Sequence, residues 1–117
     1  MSLLTLYDPL CIPVGTDGFT FIDPGSIIYV EAADKYSHIY CTNKVVYKTI
    51  SLTLQEVCHR LPKRVFFRVH KSFVVSRLHM LKMNPAKTRI YCVDDITVHV
   101  GRTYQPDFLK RFRMDGG

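Results

Sequence analysis

A series of absences narrows what this chain can be. No apolar run approaches the roughly 20 residues that a helix needs to cross a bilayer. The N-terminus has neither the charged start nor the apolar core of a secretory signal. A cytoplasmic chain with no membrane partner is therefore expected. No Cys-x-x-Cys or His-x-x-x-His pair occurs, so the usual ligand spacings of a zinc site are missing. His38 and Cys41 are close in sequence, but three residues along a strand puts them on opposite faces. No metal and no cofactor is expected. His38, His70 and His99 are available as bases, yet no nucleophile, base and acid form a recognisable local set. The chain is not read as an enzyme.

Charge is missing by sign as well. Residues 1–34 contain no Lys or Arg and carry five acids: Asp8, Asp17, Asp23, Glu31 and Asp34. Residues 35–93 reverse this, with twelve Lys and Arg against Glu56 alone. The last 24 residues balance at four and four, so the net charge of +6 hides a strongly basic middle. Such a segment calls for a polyanion, a membrane surface or solvent. For any single Lys, a solvated surface is the better account. For the whole segment, with Arg and aromatics interleaved, nucleic acid is favoured.

What remains is enough for one folded domain. A length of 117 residues, 47% of them hydrophobic, suits a single core without low-complexity tails. Residues 1–7 read as a leader or cloning remnant and residues 8–117 as the domain. Cys11, Cys41, Cys58 and Cys92 are widely spaced; their even number permits disulfides, and free thiols in a reduced cytosol are favoured.

The pattern along the chain is that of short antiparallel strands. Gly15 to Gly18 separates Leu10–Val14 from Phe19–Ile22 as a hairpin, and Asp23-Pro24-Gly25 is a second turn. Ile27–Ala32 is a β-branched strand, Asp34-Lys35 a turn, and Tyr36–Cys41 a strand whose Tyr36, His38 and Tyr40 share a face. Thr42-Asn43-Lys44 turns into Val45–Lys48. Thr53 and Glu56 then form a capping box for a helix with the stripe Leu54, Val57, Cys58 and Leu61, ended by Pro62. His59 and Arg60 fall on its exposed side. Met80–Met83 and Arg89–Val93 flank the turn Asn84–Lys87. Asp94-Asp95 leads into Ile96–Val100, with Ile96, Val98 and Val100 inward. A short helix follows, with Pro106 in its first turn and an apolar side of Phe108, Leu109 and Phe112. Lys110, Arg111 and Arg113 suit the negative end of its dipole.

The most informative segment is Phe67-Arg68-Val69-His70-Lys71-Ser72-Phe73-Val74-Val75-Ser76. Cationic and hydrogen-bonding groups lead directly into an apolar stretch that fixes them at the mouth of a core. Ile28–Ala32 with Lys35-Tyr36-Ser37-His38, then Ser51–Val57, then Phe67–Ser76, then Val98, Gly101, Arg102 and Tyr104 follow in order. Together these blocks resemble the LytTR DNA-binding domain, the output module of many bacterial response regulators, over residues 27–112. The resemblance implies a mainly β fold, an elongated set of small antiparallel sheets with one or two short helices. It also implies sequence-specific binding of double-stranded DNA in transcriptional regulation, through loops inserted into the major groove.

On that resemblance the base contacts are His38 in the first loop, Lys71 in the central motif and Arg102 at the last strand exit. Arg102 suits guanine O6 and N7. Lys35, Tyr36, Arg68, His70, Ser72, Arg77 and Tyr104 are the expected backbone contacts, which set register without reading sequence. Against these stand bland accounts: His38 packed between Tyr36 and Tyr40, His70 hydrogen-bonded beside a buried strand, and Arg68 bracing a loop carbonyl. Ser76 stands where the motif often has Asn, which weakens the structural hydrogen bond expected there. A receiver domain or sensor-kinase pathway outside this chain, and a homodimer on DNA, are further expectations. Two other classes stay open: RNA or single-strand binding on Tyr36, Tyr40 and Tyr47, and a non-catalytic protein-interaction β domain.

Overall fold

Buried Ile27, Ile28 and Val30, and the alternation of buried and half-buried side chains along Tyr36–Cys41, build the centre of the molecule. The computed structural model describes residues 7–16 and 18–114. Strands β1 (Leu10–Pro13) and β2 (Phe19–Ile22) form an antiparallel hairpin. Strands β3 (Ile27–Ala33), β4 (Tyr36–Cys41), β5 (Val46–Ile50), β6 (Phe66–His70) and β7 (Phe73–Ser76) form a five-stranded sheet in the order β5-β4-β3-β7-β6. Strands β8 (Met80–Met83), β9 (Arg89–Cys92) and β10 (Thr97–His99) form a third sheet. Two short helices, α1 (Leu54–His59) and α2 (Gln105–Arg111), complete the described elements. Extents of 49 × 34 × 24 Å make the molecule elongated, as expected. Neither helix is long and apolar enough to cross a membrane.

The central sheet carries a core on each face. On one side Val30, Ile39 and Val74 meet Leu10, Ile12 and Ile22 of the hairpin and Leu54 and Val57 of α1. On the other side Phe67, Val69 and Val75 meet Ile90, Cys92 and Val98 of the third sheet and Phe108 of α2. A bulge between Ile27 and Tyr29 serves this double duty: Ile28 joins the second core and Tyr29 packs against it, while Ile27 and Val30 stay in the first. A second bulge falls at the end of β6, between Arg68 and His70.

Local signals in the sequence are realised with small shifts. The Thr53 hydroxyl accepts from the Glu56 amide at 3.1 Å, and the Glu56 carboxylate accepts from the Thr53 amide at 3.0 Å. Strand β5 starts at Val46 rather than Val45, and runs on to Ile50 because its partner β4 continues to Tyr36. Asp94 and Asp95 both take positive φ, which ends β9 at Cys92 and leaves Ile96 outside β10. Ser76 is fully buried and its Oγ accepts from the Leu78 amide at 3.2 Å, so this serine supplies a structural bond in the place of the motif's Asn. The four cysteines are free; Cys41 and Cys92 are buried, whereas Cys11 and Cys58 are only half-buried. Burial raises the Cys92 thiol to about 11 and also raises Cys41. The leader read over residues 1–7 lies outside the described residues except for Tyr7, which packs against the first core.

Removing one half of the capping box should be measurable. Thr53→Ala is expected to lower unfolding stability by about 1 kcal/mol in urea titration, while Thr53→Ser stays within a few tenths of the parent.

Candidate nucleic-acid interface

Three connections come together at one end of the central sheet. The β3–β4 turn holds Asp34, at φ 57°, and exposed Lys35. The β6–β7 turn holds Lys71 and Ser72, and its Ser72 carbonyl accepts from the Ala32 amide at 2.9 Å. The chain leaving β10 is tied to the same turn, since the Gly101 amide donates to the Val69 carbonyl at 2.6 Å. A side chain at Gly101 would meet the His70 ring at 3.3 Å and Tyr104 at 3.4 Å, so glycine is what permits this approach.

Exposed Lys71 and Arg102 therefore share one shallow cleft, about 230 Å³, with His70, Thr103 and Tyr104. Two flanking groups hold the turn rather than point away from it. Arg68 Nε donates to the His70 carbonyl at 2.8 Å, and its Nη2 donates to the Lys71 carbonyl. The same guanidinium lies 5.7 Å from the centre of the Tyr104 ring. The bracing account of Arg68 is thus realised, and its charge sits behind Lys71. His70 Nδ1 accepts from the Ser72 amide at 3.0 Å, and its ring packs on Phe73 at 4.9 Å. That bond assigns the ring proton to Nε2. Burial first, then the charges of Lys71, His99 and Arg68, hold His70 below its ordinary pKa.

His38 is not in a loop. The alternation from Tyr36 to Cys41 carries straight through it, and it sits mid-strand on β4, opposite Glu31 of β3 and Lys48 of β5. One strand separates it from Phe73, a distance of roughly 10 Å across the sheet. Its ring stands edge-on to Tyr40 at 6.2 Å. Tyr36 shares this face and carries Lys48 Nζ 4.0 Å above its ring. Tyr29 and Tyr40 stack on each other at 4.4 Å, and the Tyr40 hydroxyl donates to Glu31 at 3.2 Å. Burial, then neighbouring Glu31, raises the Tyr40 pKa.

Arg77 is not brought to this end. It follows β7, roughly 13 Å of strand away from the Lys71 turn, and its Nε donates to the Arg64 carbonyl at 2.9 Å. Sequence reasoning overlooked Lys48 and Glu31 as neighbours of His38, and Thr103 beside Arg102. Strand alternation places Lys48 and Glu31 on their faces, but only the cross-strand register sets them against His38. No group of three metal-ligating side chains occurs among the described residues.

Residues 17–113 match the family model of the LytTr DNA-binding domain. No curated protein matches the chain. A solved structure described as the LytTr DNA-binding domain of a methyl-accepting/DNA response regulator from Bacillus cereus superposes with a TM-score of 0.77. The two are 25% identical, over 91% of this chain and 97% of that one.

The brace and the histidine each have a measurable consequence. Lysine cannot reproduce the forked bonds of Arg68, so Arg68→Lys should cost about 1 kcal/mol in urea and speed amide exchange at Ser72. The fold holds His70 below its ordinary pKa, whereas the unfolded chain takes up this proton at the ordinary value of about 6.5. Its contribution is therefore full above that value and declines as pH drops below it. The urea midpoint should decrease between about pH 7 and 5, and His70→Gln should flatten that slope. An unchanged slope in the variant would remove His70 from the explanation.

Proposed function

The chain belongs to the LytTr DNA-binding domain family, and we propose that it reads double-stranded DNA by sequence through the loop edge of its central sheet. DNA binding in transcriptional regulation, as the output of response regulators, is the function of that family. The observation that carries the loop assignment is the shared cleft of two exposed cations, Lys71 on the braced turn and Arg102 on the chain leaving β10. In this reading Arg102 pairs with guanine O6 and N7, and Lys71 with a guanine or a phosphate. His38 reaches a base acceptor or phosphate from β4, beside the edge rather than on it. Lys35, Tyr36, Ser72 and Tyr104 contact the backbone, with the Nε2–H of His70. Arg68 acts through the turn it holds. Arg77 contributes only where DNA follows the flank of β7.

The aromatic face is a poor platform for single strands. Tyr29 and Tyr40 occupy each other's ring faces, Lys48 covers Tyr36, and the Glu31 carboxylate sits in their midst. A strand stacking on the covered ring faces would have to displace these partners, and any strand on this face would pass an acid. This favours duplex entry at the edge. A receiver input or sensor-kinase pathway outside the chain, a cytoplasmic setting and a homodimer on DNA belong to the same proposal. The proposal is for a non-enzymatic module.

Selection from a random duplex pool is the decisive measurement, with enrichment of a defined short element as the expected result. Neutralising roughly four to six phosphates should give a log–log salt slope on the order of −4 to −5. Arg102→Ala should cost on the order of 1–3 kcal/mol and relax preference at one position, whereas Lys82→Ala does far less. A flat salt titration on duplex DNA, or tighter binding of single strands, would sink this assignment.

A further inference from the structure

A second cleft, about 350 Å³, opens between α1, the edge strand β6 and α2. Buried Phe66, Phe67 and Phe108 make its floor, and Tyr104 makes one wall. Its rim carries the permanent cations Lys63, Arg68 and Arg111 against the single carboxylate of Asp107. The positive potential reaches inward: burial raises the Cys58 thiol, while Arg68 and Lys63 pull it back down. Arg111 lies 4.5 Å over the Phe67 ring and spends one N–H on the Lys63 carbonyl at 3.2 Å. Core packing accounts for the three phenylalanines and the turn for Arg68, but neither accounts for Lys63 and Arg111 at the same cleft.

We propose that this cleft binds a small organic anion with a flat apolar body, an aryl phosphate or aryl carboxylate, and that this ligand regulates DNA binding. The floor takes the apolar face, and Lys63 with Arg111 takes the anionic head through charge-assisted hydrogen bonds. Arg68 connects the two sites. Its guanidinium lines this cleft while holding the carbonyls of His70 and Lys71. Tyr104, beside it, borders both this cleft and the one containing Lys71 and Arg102. An anion that draws on Arg68 loosens the reading turn, which couples the two affinities reciprocally through a shared side chain. The regulatory half rests on the DNA-reading role of that turn; the binding half does not.

A DNA phosphate offers the same head group, and the experiment separates the two sources. The 117-residue chain is titrated with phenyl phosphate at constant ionic strength and followed by amide NMR, beside inorganic phosphate and neutral benzyl alcohol. Saturable shifts at Cys58, Arg68, Tyr104 and Arg111 with phenyl phosphate alone are the expected result. The exposed pair Lys63→Gln and Arg111→Gln should weaken this binding about tenfold, and Lys63→Gln alone part-way, while the remote Lys82→Gln matches the parent. Saturating phenyl phosphate should change duplex affinity by about fivefold in the parent and not in the double variant. Equal, non-saturating shifts with all three probes, or unaltered binding in the double variant, overturn the site. Saturable binding with unaltered duplex affinity overturns the regulation. Shifts that appear only on adding duplex DNA assign these cations to DNA phosphate and overturn the small ligand. Binding to the cleft is read without DNA, so a chain that fails to bind duplex defeats the functional proposal and leaves the site standing.

Discussion

The molecule depends on a strand that is buried on both sides. In β7 the adjacent Val74 and Val75 are both fully buried, Val74 in the core under the hairpin and α1, Val75 in the core under the third sheet and α2. An antiparallel sheet usually keeps one face for water; here the central strands have none to spare around β7. Two small cores in a chain of this length would each be marginal alone. Sharing one sheet makes each core the support of the other. It also fixes where the chain can turn, because β6 and β7 must end where the cores end. The Lys71 turn follows directly on β6, whose Phe66 and Phe67 belong one to each core.

That placement explains why so many bonds converge on a four-residue stretch. A cation presented on a loose loop gives up ordering entropy when it meets a partner. Here the loop is ordered in advance by the Arg68 fork, the Ser72–His70 bond, the Ala32–Ser72 bond and the Gly101–Val69 bond. The last of these brings the chain that carries Arg102, leaving a different sheet, against the turn that carries Lys71. Residues that resemble one another chemically therefore divide by task. Arg68 spends its Nε and Nη2 and His70 its Nδ1 on the protein, whereas Lys71 and Arg102 stand exposed.

Much of the fold was legible because its signals are local. The Thr53–Glu56 box, the turns at Asp34 and Asn43, and the alternation of β4 and β10 each follow from spacing and residue type. The bulges were not legible. Ile27-Ile28-Tyr29-Val30 reads as a regular strand, and only the need to fill two cores reveals that Ile28 and Tyr29 face the same way. His38 was misplaced for a related reason. A motif sets its order in the chain, but its neighbours Glu31 and Lys48 come from cross-strand register, a non-local property. Arg68 shows the remaining limit: an arginine beside a turn is equally consistent with bracing and with contacting phosphate until the carbonyls are in view.

Charge follows the same division of labour. The acidic start of the chain builds the hairpin over the first core, and the basic middle builds the turns and the flank of β6. Glu31 is the exception, an acid on the face that carries His38. It is tethered by the Tyr40 hydroxyl and lies directly between His38 and Phe73 in register. Lys48 stands on the other side of His38 in register, so the carboxylate is balanced by a cation across the histidine. His38 thus sits between an acid and a base on the flat of the sheet, whereas Lys71 and Arg102 lie exposed at its end.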